Sequence, residues 1–144
     1  MEARPPVRVA VGIIPRKDKI LLCQRKPGVR YGLKWEFPGG KAFEHEAIEQ
    51  TLVRELNEEL GIALREIREV HSTTAKYEDG GEYKVTFFVV DSFAGAVTNY
   101  VFHNLAWTRT DDLLKHDILD GNKEIVQMIV DGAIPVFKHI EDEE

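Results

Sequence analysis

Three carboxylates share one face of a predicted helix. Glu55, Glu58 and Glu59 stand at positions i, i+3 and i+4, a spacing that brings side chains together on a helix. Grouped like charges destabilise a helix and resist ionisation when they are partly buried. Arg54 is the only cation within the predicted helix. A hard divalent cation such as Mg²⁺ would neutralise the carboxylates, and a solvated acidic face is the alternative that the helix pattern leaves open.

The helix that carries these carboxylates is predicted over Glu46–Leu60 and ends at Gly61, a residue typical of helix C-termini. At about 100° per residue, one apolar stripe emerges. Glu55 and Glu59 fall at the edge of this stripe, so we expect them to be partly buried. The stripe comprises Ile48, Leu52, Val53, Leu56 and Leu60.

A glycine turn precedes the helix. Pro38, Gly39 and Gly40 allow a sharp turn and a close approach of the backbone to a ligand. The carbonyl oxygens there could bind a metal ion, and the N–H groups could meet a phosphate. For each basic residue around the turn, the alternative interpretation is an ordinary side chain that is exposed to solvent. These cations are Arg25, Lys26, Arg30, Lys34 and Lys41.

The remaining elements must position this helix and turn. Strands are predicted over residues 7–14, 19–24, 35–37, 67–74, 82–93 and 97–107, with a short helical turn at 112–115 and a second helix over 122–130. Two helices separated by several strands predict an α/β (α+β) fold or a layered α/β/α arrangement. The glycine patterns of dinucleotide-binding and P-loop folds are missing from the sequence.

Composition narrows the class of protein. A chain of 144 residues with 43% hydrophobic residues suits one domain, and its apolar runs are too short to span a membrane. A single cysteine, Cys23, excludes an internal disulfide and favours a reducing cytoplasm. The net charge of -6 argues against general nucleic-acid binding. Residues 1–41 carry ten cations and three acids, so an anionic ligand beside a cation site is expected.

Residues 40–62 resemble a known sequence signature. Gly40, Glu46 and the run from Arg54 to Ile62 fill every fixed position of the Nudix box, G-x5-E-x7-R-E-U-x-E-E-x-G-U. The flanks, including Trp35-Glu36-Phe37-Pro38-Gly39-Gly40-Lys41, resemble the MutT-type branch. The resemblance covers about residues 7–132 and implies an α/β/α sandwich with a mixed sheet. We therefore expect a single domain over 1–144, whose last residues, 137–144, form an acidic tail.

The resemblance also implies residue roles. Glu55, Glu58, Glu59 and the Gly40 carbonyl correspond to the ligands of Mg²⁺ or Mn²⁺, and Glu46 with Arg54 to the pair that orients them. Arg25 corresponds to a substrate-contacting arginine, and Asn122 to an asparagine that reads an oxidised guanine. Trp35 and Lys41 are further candidates for the substrate site. For Asn122 an ordinary helix N-cap is an equal alternative.

The implied activity is hydrolysis of a nucleoside triphosphate to a monophosphate and pyrophosphate, with oxidised nucleotides such as 8-oxo-dGTP among the candidates. Hydrolysis of a nucleoside diphosphate-sugar or ADP-ribose, and a non-catalytic nucleotide-sensing module, are the alternatives. The expected partner is a nucleotide, with no nucleic acid or membrane, and the expected assembly is a monomer or homodimer.

Two departures from the family pattern affect the site. His45 stands where the family has a glycine, so we expect an altered loop. The loop before Trp107 lacks a carboxylate, so the general base is either Glu55 or an acid from elsewhere. The candidates for such an acid are Glu78, Asp79 and Glu82.

Overall fold

A computed structural model describes residues 5–76 and 80–137. Two small sheets and two helices make up the fold. The elements are β1 (Val7–Ile13), β2 (Pro15–Arg16), β3 (Lys19–Gln24), β4 (Trp35–Glu36), β5 (Gly39–Lys41), α1 (Ile48–Leu60), β6 (Ala63–Lys76), β7 (Glu82–Ala94), β8 (Asn104–Arg109), 3₁₀ helices at Thr110–Lys115 and Asp120–Asn122, and α2 (Lys123–Val130).

The first sheet is mixed. Its strand order is β5-β1-β7-β6, with β1 parallel to β7 and the other neighbours antiparallel. The second sheet joins β3 to β2, β4 and β8. Each strand places alternate side chains on opposite faces of its sheet. Both faces of the first sheet carry apolar side chains that pack in hydrophobic cores. This arrangement confirms the predicted mixed α/β sandwich.

The two helices cover opposite faces of the first sheet. Leu52, Leu56 and Leu60 of α1 pack in one core with Phe88 and Val90 of β7. The apolar residues of α2 pack in a second core on the other face, with Phe87 and Val89. A strand that is buried on both faces reads as a continuous apolar run, as residues 85–90 do.

The structure corrects several predicted element boundaries. Residues 97–103 lie outside any strand, and β8 begins only at Asn104. Gly39 and Gly40 form the strand β5 beside β1, where the sequence predicts a turn. A Cβ at Gly39 would collide with the Ala10 carbonyl oxygen, so glycine here permits a close strand contact. Val53, predicted in the buried stripe, is 42% exposed.

The loop before α1 retains a glycine-like conformation. His45 has a φ of 69°, in the left-handed region that favours glycine. The helix begins at Ile48, two residues later than predicted, because Ala47 is still extended and the Glu46 carboxylate accepts a hydrogen bond from the Phe43 N–H. The histidine therefore occupies a backbone position suited to the family's usual glycine.

No helix in the described residues is long and apolar enough to cross a membrane. The predicted acidic tail lies outside the described residues from 138 onward, as do Glu78 and Asp79.

Candidate active site

Arg54 is the centre of an ion-pair network that joins the middle of α1 to the loop before it. Its Nε donates to Glu46 Oε2 and its Nη2 to Glu46 Oε1, both at 2.9 Å. Such two-point pairing fixes the guanidinium plane as well as its position. The Phe43 ring lies 3.8 Å from the Arg54 Cζ and covers one face of the guanidinium. The structure thus brings together the two residues expected to orient the carboxylates.

The same guanidinium also reaches the backbone of β5 and the expected metal ligands. Arg54 Nη1 donates to Glu55 Oε1 at 2.9 Å and lies 3.6 Å from Glu58 Oε1. Arg54 Nη2 donates to the Lys41 carbonyl oxygen at 3.0 Å. One side chain therefore couples the loop, the strand β5 and two carboxylates of α1.

Glu46 is held as an anion. The hydrogen bonds from Arg54, followed by those from the Phe43 N–H and the Thr51 hydroxyl, lower the pKa of Glu46 to about 2. Thr51 is fully buried and donates to Glu46 Oε1 at 2.9 Å. Thr51 was not among the residues predicted for the site. Its position in the first turn of the helix, five residues after Glu46, could have indicated that its hydroxyl reaches the Glu46 carboxylate.

Glu55 packs directly against the glycine strand. A Cβ at Gly40 would collide with the Glu55 carboxylate, so glycine alone leaves room for this group. Burial raises the pKa of Glu55, and the hydrogen bond from Arg54 opposes the rise. The carboxylate is thus placed beside Gly40, the residue expected to supply a backbone ligand.

Glu59 lies deeper than its neighbours. Its Oε1 accepts a hydrogen bond from the Gly39 N–H at 3.1 Å. Burial first, then the charges of Glu55, Glu36 and Glu58, raises its pKa to about 8, although the Gly39 N–H opposes the rise. The positive charges nearby therefore do not offset the effects of burial and of the neighbouring carboxylates on Glu59.

The three carboxylates suit a divalent cation in their chemistry. In the described part of the chain, no three acidic, imidazole or thiol groups are gathered closely enough to hold a metal ion as they stand. Arg54 engages Glu55 and Glu58, and Gly39 engages Glu59, so side-chain rotations would be needed to gather the three carboxylates around one ion. Their oxygen donors suit Mg²⁺ or Mn²⁺, and the raised pKa values of Glu55 and Glu59 show where added positive charge is favourable.

Glu36 is a functional candidate that sequence reasoning missed. Its side chain is 17% exposed and pairs with Arg25 at 3.2 Å. Burial raises the pKa of Glu36, and its charge acts on both Glu59 and the buried Cys23 thiol. A charged residue inside a short apolar strand was the signal that could have identified it.

Segment 35–37 connects the predicted substrate residues. Arg25 donates to Glu36, and Asn122 Oδ1 accepts from the Phe37 N–H at 2.8 Å. Trp35 contacts His116 edge to face, with ring centroids 5.0 Å apart. Asn122 is 7% exposed and its side chain makes no N-cap hydrogen bond, so the N-cap alternative does not describe its contact.

Lys41 contributes to the carboxylate network through its backbone. Its side chain shares the sheet face of Val9, which packs in the α2 core, and its ammonium lies 5.6 Å from the Tyr83 ring centroid. The carboxylates of α1 lie on the other face. The structure therefore does not bring the Lys41 ammonium to them.

Glu82, an alternative source of the general base, is remote from the site. It begins β7 opposite Lys76. Phe87, which pairs with Val11 beside Gly39, lies five residues further along, or about 17 Å at the usual strand rise. Of the described candidates for the base, Glu55 remains.

Comparison with known proteins identifies the family. Residues 5–129 match the NUDIX domain. The chain is 32% identical over 121 residues to a CTP pyrophosphohydrolase of Escherichia coli, covering 84% of this chain and 89% of that protein. It is 30% identical over 119 residues to an 8-oxo-dGTP diphosphatase of Buchnera aphidicola, covering 82% and 88%.

A solved structure shows the same fold. The MutT NUDIX hydrolase of Burkholderia pseudomallei superimposes with a TM-score of 0.76 at 25% identity, covering 88% of this chain and 99% of that one. Fold and site together place a helix with three neighbouring carboxylates against the mixed sheet of an α/β sandwich. The chain belongs to the Nudix family and is a Nudix hydrolase.

Proposed function

We propose that this protein hydrolyses a nucleoside triphosphate to a nucleoside monophosphate and pyrophosphate, with a divalent ion held by Glu55, Glu58, Glu59 and the Gly40 carbonyl. The observation that carries the proposal is the partial burial of Glu55 and Glu59 against the glycine strand with insufficient cationic charge. Partly buried carboxylates that lack enough neighbouring positive charge are stabilised when they bind a cation.

The side chains of the site have separate roles in the proposed reaction. A bound divalent ion would neutralise phosphate charge and acidify a water molecule. Glu55, whose pKa is raised by burial, orients that water or accepts its proton. Arg54 and Glu46 hold Glu55 in position through the network of hydrogen bonds at 2.9 Å.

The substrate would extend from the carboxylates along segment 35–37. Arg25 is 30% exposed and retains donors for a phosphate while it is paired with Glu36. Asn122 would present its amide to a base edge, and Trp35, which is half-buried, would supply an aromatic surface. The Lys41 ammonium would contribute only by rotating away from Tyr83.

The substrate class is supported by the relatives. Their names specify CTP in one protein and 8-oxo-dGTP in the other. We therefore propose that the substrate of this chain is a nucleoside triphosphate whose base is either an oxidised guanine or a cytosine. A cytoplasmic location and a monomeric or homodimeric state belong to the same proposal.

A substrate panel tests the activity. Purified protein with Mg²⁺ or Mn²⁺ should release pyrophosphate from at least one of 8-oxo-dGTP, dCTP and CTP. Release of sugar phosphate or AMP from nucleoside diphosphate-sugars or ADP-ribose, without pyrophosphate release, would assign the alternative hydrolase. Tight nucleotide binding with no turnover on the whole panel would assign a sensing module.

The ligand roles have their own test. Replacing either carboxylate by glutamine, as in Glu58→Gln and Glu59→Gln, should lower kcat by about a hundredfold or more while thermal unfolding still shows a folded protein. Glu66→Gln is the matched control, because Glu66 is exposed on β6 and, within residues 5–76 and 80–137, its carboxylate accepts a hydrogen bond only from the Ser92 hydroxyl. Turnover of the site variants within a few-fold of wild type would refute the assignment.

A further inference from the structure

Gln24 lies where three parts of the second sheet meet. It is the last residue of β3, and its register partners are Trp35 of β4 on one side and Asn104 of β8 on the other. Its carbonyl oxygen also accepts a hydrogen bond from the His103 N–H at 2.8 Å. Gln24 directly precedes Arg25, for which the proposed function includes a phosphate contact. The surroundings of Gln24 therefore bear on the substrate site.

The side chain of Gln24 bridges the loop after β3 to the first residue of β8. Its Nε2 donates to the Leu33 carbonyl oxygen at 3.1 Å, and its Oε1 accepts from Asn104 Nδ2 at 3.0 Å. A carbonyl oxygen can only accept a hydrogen bond, so the Leu33 contact fixes which way the Gln24 amide faces. Both ends of the amide are used, and a side chain with a single polar group could not make this bridge.

The loop at residues 26–34 has a backbone conformation that external contacts must hold. Tyr31 and Leu33 have φ values of 60° and 66°, in the left-handed region that favours glycine. Larger residues remain in this region where the surrounding structure fixes them. The Leu33 carbonyl oxygen accepts from Gln24, and the Leu33 N–H donates to the Arg25 carbonyl oxygen at 3.0 Å. Gln24 therefore helps to hold the end of the loop that returns to β4.

The loop in turn orients the Arg25 guanidinium. Arg25 Nε donates to the Arg30 carbonyl oxygen at 3.0 Å, and Nη1 donates to Glu36 Oε2 at 3.2 Å. Within residues 5–76 and 80–137, these contacts leave Nη2 without a protein acceptor. Because the guanidinium is planar, two held nitrogens determine where the third one points. The position of the Arg30 carbonyl thus sets the direction of the nitrogen that is left for a phosphate.

We propose that Gln24 is a positioning residue for the phosphate-binding arginine. Through the Leu33 carbonyl it holds the loop at residues 26–34, and the loop holds Arg25 in the orientation that meets the phosphate chain. This inference rests on the proposed function, because Gln24 acts only through the contact of Arg25 with the substrate. In the described part of the chain, no hydrogen bond links Gln24 or this loop to the carboxylates of α1. We therefore expect Gln24 to affect substrate binding more than turnover.

Steady-state kinetics of the full chain with Mg²⁺ test the proposal, with the substrate that the panel above identifies. Gln24→Met keeps the length of the side chain but removes both hydrogen bonds. It should raise KM about tenfold and change kcat by less than about threefold. Gln24→Ala should do the same. Gln127→Ala is the matched control, because Gln127 of α2 makes a comparable hydrogen bond, to Asp131 Oδ1 at 2.9 Å, and both constants should stay unchanged.

The double variant with Arg25→Ala separates positioning from a general loss of structure. In the Arg25→Ala protein, Gln24→Met should change KM by less than about twofold, because the residue through which Gln24 acts is already absent. A purely structural role would lower Tm and leave KM unchanged in the single variant. Where the panel shows nucleotide binding without turnover, Kd from calorimetry takes the place of KM in every comparison.

Two results would overturn this inference while the proposed function stands. One is a KM for the Gln24 variants within about twofold of wild type, and the other is a tenfold effect that persists without Arg25. Wild-type protein that neither hydrolyses nor binds any nucleotide of the panel would overturn the proposed function, and this inference with it.

Discussion

At the scale of the residue, Arg54 is the feature that organises the site. It pairs with Glu46 through two hydrogen bonds and contacts Glu55 and Glu58 with its remaining nitrogen. The guanidinium geometry matches these oxygens in a way that a lysine would not. A single cation thus keeps three acidic residues in place, while leaving Glu59 without direct compensation.

Glu46 predicts a pH dependence of stability. Its pKa in the folded protein is about 2, below the ordinary value of 4.5. The anion therefore stabilises the fold above pH 4.5, and this contribution is lost as the pH falls towards 2. Glu46→Gln should lower Tm at pH 7, and the difference from wild type should shrink between pH 4.5 and 2.

Thermal unfolding across this pH range measures the effect. Glu44→Gln is the control, since Glu44 has a side chain that is 88% exposed and should change Tm little at any pH. A difference between Glu46→Gln and wild type that stays constant from pH 7 to pH 2 would contradict the assigned pKa.

At the scale of the element, β5 and α1 must approach each other closely. Gly39 fits against the Ala10 carbonyl oxygen, and Gly40 fits against the Glu55 carboxylate. Glycine is required at both positions because a side chain would occupy space that these neighbours already fill. The geometry of the site therefore depends on glycine at two adjacent positions of β5.

Gly39→Ala should destabilise the protein by about 2 kcal/mol or more, because the added Cβ meets backbone that cannot move without breaking the β1–β5 pairing. Denaturant unfolding measures the change. Gly121→Ala is a suitable control, since no atom lies within 4 Å of the added methyl group. Equal stability of the two variants would refute the close approach.

The buried stripe of α1 makes a second prediction at this scale. Leu56 is fully buried and Val53 is 42% exposed, although both were expected in the stripe. Leu56→Ala should cost about 2–5 kcal/mol, and Val53→Ala should cost less than about 0.5 kcal/mol. Urea unfolding measures both, and similar losses for the two variants would count against the observed orientation of the helix.

At the scale of the whole molecule, one sheet separates two apolar cores. Leu56 lies in the core under α1, and Ile129 lies in the core under α2. The strands between them contribute side chains to both cores, so the cores should unfold together. The basic N-terminal third and the acidic remainder of the chain meet where β5 contacts α1.

The two cores should nevertheless respond independently to small changes. The free-energy losses of Leu56→Ala and Ile129→Val should add to within about 0.5 kcal/mol in the double variant, since the residues share no contacts across the sheet. A single unfolding transition should persist in each variant. Two separate transitions, or strong non-additivity, would contradict this description of the fold.

Local sequence patterns were enough to identify the carboxylate helix and the class of protein. The i, i+3, i+4 spacing of Glu55, Glu58 and Glu59 is a local property of helix geometry, and the glycine before the helix is part of the same short motif. Local periodicity also located most strands, because alternation and apolar runs reflect burial directly.

The contacts between groups that are distant in the chain become visible only in the packed fold. The approach of Glu36 to Glu59, the Asn122 contact with the Phe37 N–H, and the pairing of β5 with β1 all join residues far apart in the chain. Such contacts depend on how sheets and helices pack, and local sequence patterns carry little information about that packing.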